Sequence, residues 1–162
     1  MNLSKLFETQ KLLDNRIVDE HNLHGQDLLP KKILSLQVEL AELAQELPEV
    51  FKFWSNKKNN YEKALVEYCD CLHFILSIGN DLELNIALYT ILPFKHKTIL
   101  DQFSRTYYVI GDLEHDPSQR ELILVLQHFI ALGEMLGFPW SEIEQSYYTK
   151  NSINHTRQDN LY

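Results

Sequence analysis

The chain has 162 residues, 44% of them apolar, and a formal net charge of −8. This length fits one domain with a single core, and the apolar fraction excludes a disordered chain. The negative charge argues against binding a nucleic-acid polymer, although small anions can still bind through a metal. The longest apolar run, residues 72–78, is too short to span a bilayer. With no signal pattern at the N-terminus, these features predict a cytoplasmic protein without a membrane partner.

Helical periodicity recurs along the first half of the chain, without any alternating strand pattern. The first predicted helix spans residues 3–20. The second spans residues 31–47 and lies between two prolines, which favour a helix start and oppose its continuation. The third spans residues 60–77, with Asn60 as its N-cap and Gly79 as its end.

Four more helices are predicted in the second half of the chain. A short helix spans residues 84–92, and longer ones span 97–113 and 117–137. The last begins at Pro139 and has its most regular part at residues 141–148. Because the connections are short, neighbouring helices are expected to run antiparallel. The predicted fold class is therefore all-α, a bundle of about six to seven helices in which all residues form a single domain.

Four acidic residues lie on predicted helices that are otherwise nearly apolar. Glu39 and Glu42 lie beside a leucine stripe on the second helix, and Glu67 and Asp70 form a narrow polar wedge on the third. No lysine or arginine interrupts either segment. Clustered carboxylates without counterions raise one another's pKa, and a divalent metal removes that energetic cost. Because Mg²⁺ prefers carboxylate oxygens together with water and substrate phosphates, the pattern predicts a Mg²⁺ site between two facing helices.

Two other interpretations fit parts of this pattern. Acids three residues apart are common on solvated helix faces, but a solvated face does not explain two such pairs on apolar helices. Asp70 and His73 have the carboxylate-x-x-His spacing of di-iron bundles. Those bundles need the motif on two helices, and it occurs only once among these acids. The Mg²⁺ site is therefore the favoured interpretation.

The chain resembles the all-α NTP pyrophosphohydrolases, the superfamily that includes MazG and the dimeric dUTPases. The superfamily signature is matched by Glu39-x-x-Glu42 followed by Glu67-x-x-Asp70. Four longer stretches are similar to the dimeric dUTPase branch and extend from end to end: LFETQKLLD, VELAELAQELPEVFKFWS, EYCDCLHFILSIG and KNSINHTRQDNLY. The tail departs from the Gly-Tyr ending of that family, because this chain ends in Leu161-Tyr162.

This resemblance implies a homodimeric dUTP diphosphatase that converts dUTP to dUMP and pyrophosphate and also accepts dUDP. It implies that the four carboxylates bind Mg²⁺, with Mn²⁺ as a substitute. Either Glu39 or Glu42 would accept a proton from the attacking water. The apolar fifth and sixth predicted helices are the expected dimer interface. No pattern in the sequence identifies a protein inhibitor.

The C-terminal segment supplies candidate phosphate ligands. Lys150, Asn154 and Arg157 recur at i, i+4 and i+7, so a helix would place them on one polar face. Lysine and arginine suit phosphate oxygens, whereas a frayed, solvated tail is an alternative of equal weight. By resemblance, Lys150 and Arg157 contact phosphates and Asn154 contacts the nucleotide.

Four further residues are candidates for contacts with the nucleoside. Gln10 and Asp14 lie one turn apart on the first predicted helix, and an amide has the donor and acceptor that the edge of uracil requires. The resemblance implies that Gln10 reads the base, and exposure to solvent is the alternative. Trp54 could close over the ligand or anchor the core. His73 could orient the nucleotide or be a satisfied core histidine.

Two other functions are compatible with the same fold. A related pyrophosphohydrolase for another nucleotide, such as dCTP, would keep the carboxylates and change the base pocket. A non-catalytic regulatory homologue would keep the fold and bind a protein. The intact set of four acids argues against the second alternative, because a regulator has no need of them.

Overall fold

The computed structural model describes residues 2–160, and within that range it contains seven α-helices, one 3-10 helix and no strand. The predicted all-α fold class is thereby confirmed. The elements are α1 (Leu3–Glu20), α2 (Leu29–Gln45), α3 (Pro48–Phe51), α4 (Tyr61–Asp81), the 3-10 helix (Ile86–Leu88), α5 (Ile99–His115), α6 (Gln119–Met135) and α7 (Trp140–Asp159). The Leu161-Tyr162 ending lies outside the described residues.

Helix α4 lies at the centre of the bundle. It packs against α1, α2, α6 and α7, while α5 packs against α2 and α6. From Tyr68 to Gly79 every α4 residue except Phe74 is buried. A helix buried on nearly all sides must be apolar all round, which explains why so few polar residues interrupt it. Apolar side chains from all the long helices join it in one core.

The predicted N-cap of α4 at Asn60 is correct, and side-chain caps begin both α4 and α6. The Asn60 side chain accepts a hydrogen bond from the Lys63 amide and so begins α4. Ser118 caps α6 in the same way, accepting from the Glu121 amide. These caps satisfy amide groups that the first helical turn leaves without a partner. The C-terminal segment is also helical through Asp159, so the predicted polar face exists.

Other predictions about the helices were wrong or incomplete. Helix α4 does not end at Gly79 but continues to Asp81. The helix predicted at residues 84–92 reduces to one 3-10 turn, Ile86–Leu88. The following segment is held instead by the buried Gln102 side chain, whose amide donates to the Phe94 carbonyl. The short helix α3 was not predicted at all. After the 3-10 turn, hydrogen bonds of Phe94 with Gln102 and Gln127 replace the predicted helical pattern.

A membrane-spanning helix is not evident in the part of the chain that the structure describes. No single helix there is both long and apolar enough to cross a bilayer. Helices α6 and α7 meet the length and composition criteria only as a pair, which bends by 111° between them.

Gly79 should be required for the close approach of α1 to α4. A Cβ atom at Gly79 would overlap the Phe7 ring and lie 3.2 Å from Cδ2 of Leu122. We expect Gly79→Ala to lower the free energy of unfolding by about 1–3 kcal/mol. Gly111→Ala in α5 is the matched control, because no atom lies within 4 Å of its new Cβ. The control substitution should raise the free energy of unfolding by about 0.5–1 kcal/mol, since glycine is unfavourable inside helices. If urea unfolding gave the same change in the free energy of unfolding for both variants, Gly79 would not be required for the packing of α1 on α4.

Candidate active site

The contact between α2 and α4 brings three of the four predicted carboxylates together. One carboxylate oxygen each from Glu39, Glu67 and Asp70 lies within 4.8 Å of the other two. Asp70 is buried and the two glutamates are half-buried. We refer to these three residues as the carboxylate cluster. Its oxygen donors are hard ligands of the kind that Mg²⁺ and other divalent metals prefer.

Glu42 is placed next to the carboxylate cluster but not within it. Its side chain is exposed. Its charge nevertheless contributes to raising the pKa of Glu39 and of Glu67, so it lies in electrostatic range of both. The structure therefore brings the fourth predicted carboxylate to the rim of the cluster.

Burial and mutual repulsion raise the pKa of the glutamates in the carboxylate cluster. Burial, reinforced by the charges of Asp70, Glu42 and Glu67, raises the pKa of Glu39 to about 7. The pKa of Glu67 is raised by burial and by Asp70. A site in which acids resist ionisation in this way gains stability when a divalent cation binds. The donor set, its spacing and its electrostatics all fit a divalent metal.

Lys150 of α7 is a cation in direct contact with the carboxylate cluster. Its Nζ lies 2.5 Å from Oδ2 of Asp70. Burial raises the pKa of Asp70, and the hydrogen bond from Lys150 opposes that rise, as does the charge of Arg157. One ammonium group balances only part of the charge of three carboxylates, so the cluster remains a site for additional positive charge.

A cavity of about 370 Å³ adjoins the carboxylate cluster. Eight of the eleven predicted site residues line it: Gln10, Asp14, Glu39, Asp70, His73, Lys150, Asn154 and Arg157. They come from α1, α2, α4 and α7, so residues far apart in the sequence meet in one space. Because α7 is helical here, the alternative of a frayed tail is wrong for its described residues.

Sequence reasoning missed several residues that line the cavity. These include Lys31, Lys32, Ser35 and Ser77. The spacing of Lys32, Ser35 and Glu39 at i, i+3 and i+7 places all three on one face of α2. That periodicity is the signal that could have identified the first two from the sequence.

Asp14, Gln10 and His73 form a hydrogen-bonded chain in the wall of the cavity. The Gln10 amide nitrogen donates to Oδ1 of Asp14 at 2.8 Å, and the Gln10 carbonyl oxygen lies 2.7 Å from Nδ1 of His73. Burial raises the pKa of Asp14, and the Ser77 and Asn80 side chains near its carboxylate oppose that rise. Nε2 of His73 is buried and has no hydrogen-bond partner among the described residues. Unpartnered polar atoms beside a cavity are available to a bound ligand.

Trp54 is not brought to the cavity with the other predicted residues. Its side chain is 68% exposed and contacts Phe53 edge-to-face, with ring centroids 4.8 Å apart. The core-anchor alternative for Trp54 is therefore wrong within the described structure. Its role over the ligand stays a prediction.

Comparison with known proteins identifies the family of the chain. A family model described as dUTPase matches residues 2–162. The chain belongs to the dUTPase family. No curated protein matches it in a direct comparison of sequences. Membership of the dUTPase family confirms the predicted resemblance, the dUTP diphosphatase activity and dUTP as the substrate. It also agrees with the presence of a divalent metal, for which the carboxylate cluster offers ligands.

Glu39 should give the metal-free protein a distinctive pH dependence. Its pKa rises from 4.5 to about 7 on folding, so between these values the folded state binds more protons than the unfolded chain. The free energy of unfolding should therefore fall as the pH rises through this range. Thermal unfolding with a chelator present measures the slope, which Glu39→Gln should flatten. Identical slopes in both proteins would show that Glu39 ionises normally.

Proposed function

We propose that the protein hydrolyses dUTP to dUMP and pyrophosphate, and dUDP to dUMP and phosphate, in a Mg²⁺-dependent reaction. The observation that carries this proposal is the position of the carboxylate cluster at a cavity lined by cationic and amide side chains. A nucleotide polyphosphate needs both kinds of surface, because its phosphates require positive charge and its base requires directional hydrogen bonds.

Glu39, Glu67 and Asp70 would hold the metal, with Glu42 completing the set from the rim. Mg²⁺, or Mn²⁺ as a substitute, would supply Lewis-acid polarisation of phosphate oxygens and activation of the attacking water. The proton of the attacking water would pass to a carboxylate oxygen of Glu39 or Glu42. Glu39 is the better placed of the two, since it lines the cavity and Glu42 does not.

Helix α7 would bind the phosphate chain. Lys150, Asn154 and Arg157 follow one another along the face of α7 that lines the cavity. Lys150 offers a compact ammonium group, and Arg157 offers a planar fork that can bind two phosphate oxygens. Because Lys150 already contacts Asp70, it lies at the junction between the carboxylate cluster and the rest of the cavity. That position suits a group that bridges the metal ligands and the substrate phosphates.

Gln10 and His73 would recognise the base, with Asp14 behind them. Each lines the cavity, and the hydrogen bond between Gln10 and Asp14 leaves one further amide hydrogen on Gln10. Nε2 of His73 is a second polar atom without a partner in the described structure. Uracil presents carbonyl acceptors on either side of an N3–H donor, so a wall with both donors and acceptors suits it.

The protein is further proposed to be a single-domain, cytoplasmic homodimer. Of the two helices predicted to form the interface, α6 places most of its apolar side chains in the core. Helix α5 instead leaves Leu100 and Tyr108 exposed, and neighbouring α2 exposes Leu34 and Val38. Helices α2 and α5 pack against each other, so these side chains make them the better candidates for the interface.

The nucleotide specificity can be tested with purified protein and Mg²⁺. We expect pyrophosphate release from dUTP to exceed that from dCTP, dTTP and UTP, and dUDP to yield phosphate. Chelation should abolish all turnover, because the carboxylate cluster alone has no electrophile. Preference for another nucleotide would reassign the base pocket. A lack of turnover with every nucleotide would favour a regulatory homologue.

Glu67→Gln should separate metal binding from folding. The substitution removes one charge from the carboxylate cluster while keeping the shape of the side chain, so kcat should fall at least about 100-fold and the melting temperature should not fall. Glu62→Gln is the matched control on the same helix, because Glu62 is exposed in the first turn of α4. Normal activity of Glu67→Gln would eliminate the carboxylate cluster as the metal site.

A further inference from the structure

Tyr147 completes the hydrogen-bonded chain behind the cavity. Its hydroxyl donates to the Gln10 carbonyl oxygen at 3.1 Å, the same oxygen that lies 2.7 Å from Nδ1 of His73. Its ring stacks on the imidazole, with centroids 4.3 Å apart and planes inclined by 20°. Gln10, His73 and Tyr147 are 4%, 6% and 0% exposed. Tyr147 does not line the cavity, so any influence on a ligand passes through its two neighbours.

The partners of Gln10 define its orientation. Burial raises the pKa of Asp14, while the hydrogen bond from Gln10 and the charge of Lys32 favour its ionised form. An ionised carboxylate only accepts hydrogen bonds, so the amide nitrogen of Gln10 faces Asp14. The carbonyl oxygen of Gln10 then faces His73, and a carbonyl oxygen also only accepts. Nδ1 of His73 must therefore carry the hydrogen at this contact. In a neutral imidazole this leaves Nε2 as an acceptor.

The surroundings of His73 keep the imidazole neutral. Burial lowers the pKa of His73 to about 3, and the charge of Lys150 acts in the same direction, while a hydrogen bond between the imidazole and the Tyr147 backbone raises it. Nε2 has no partner among the described residues, although it is buried. A buried acceptor without a partner is costly unless a ligand supplies a donor.

The hydroxyl of Tyr147 strengthens this arrangement in two ways. It occupies a second lone pair of the Gln10 oxygen, which opposes rotation of the amide by a half-turn. The alternative acceptor for the hydroxyl, the Leu6 carbonyl, is farther away at 3.4 Å. The ring of Tyr147, which stacks on the imidazole of His73, meanwhile restricts rotation of the imidazole plane. Both effects favour the His73 tautomer whose Nε2 is unprotonated.

We propose that Tyr147 is a positioning residue for base selectivity, which acts through Gln10 to keep Nε2 of His73 as an acceptor for the N3–H of uracil. Cytosine has a lone pair at N3, so two acceptors would face each other and neither would have a partner. This inference rests on the proposed function, because that function assigns base recognition to Gln10 and His73.

Tyr147→Phe removes the hydroxyl and keeps the ring, so it tests the positioning role. We expect the ratio of kcat/KM for dUTP to that for dCTP to fall about fivefold, mainly through a higher KM for dUTP. Tyr148→Phe is the matched control. Tyr148 lies next in the chain, and its buried hydroxyl has no partner in the described structure. The control should keep the wild-type ratio, and an unchanged ratio in Tyr147→Phe would overturn the proposal.

A double-mutant cycle tests whether Tyr147 acts through Gln10. In the Gln10→Ala background, Tyr147→Phe should change the ratio of kcat/KM values no further, because the oxygen that the hydroxyl contacts is gone. If each substitution lowered the ratio of kcat/KM values by its own factor and the two factors multiplied in the double variant, Tyr147 would act by another route.

Nitrogen NMR of histidine-labelled protein gives a readout that does not depend on turnover. His73 should show a protonated Nδ1 and an unprotonated Nε2, and Tyr147→Phe should increase the opposite tautomer while Tyr148→Phe does not. A protonated Nε2 in the wild-type protein would overturn the inference even if the enzyme prefers dUTP. The expected tautomer in a protein that does not hydrolyse dUTP would instead count against the proposed function and leave the role of Tyr147 in the network supported.

Discussion

The close contact of like charges between α2 and α4 is the constraint on which the rest of the site depends. Leu36, Leu40 and Leu43 are fully buried and hold α2 in the core, so Glu39 cannot move away from the acids of α4. Burying each leucine contributes about 1.5–3 kcal/mol, which offsets the repulsion among the carboxylates. Apolar packing thus keeps in place an electrostatic arrangement that would separate on its own.

Helix α7 connects the two ends of the cavity. Tyr147, Lys150, Asn154 and Arg157 follow at intervals of three and four, so they lie along one side of the helix. The first of them supports the Gln10–His73 network, and the second contacts Asp70 of the carboxylate cluster. Because one rigid helix carries both contacts, a shift of α7 would disturb base recognition and charge balance together. The Tyr147 and Lys150 contacts hold this polar helix against the bundle.

The sequence predicted those features that arise from local patterns. The all-α class and the Asn60 cap follow from periodicity and side-chain chemistry within a few residues, and the acidic pairs were conspicuous because they interrupt apolar helices. It failed where distant residues decide the outcome. A glycine is typical of a helix end, but Gly79 lies inside α4, where the nearby Phe7 ring leaves no room for a side chain. Likewise, nothing near Tyr147 in the sequence indicates that its hydroxyl reaches Gln10 of α1.

The charges that line the cavity explain how a protein of net charge −8 can bind a polyphosphate. Four cationic residues line the cavity, Lys31, Lys32, Lys150 and Arg157, against the three acids Asp14, Glu39 and Asp70. With the adjoining Glu67 the two signs are equal in number, so the cavity without metal is close to neutral despite the acidic surface. A divalent cation at the carboxylate cluster would shift this balance by two charges towards positive. Metal binding and attraction of the nucleotide are thereby coupled, because the same ion that relieves the repulsion among the carboxylates creates the field that the phosphates require.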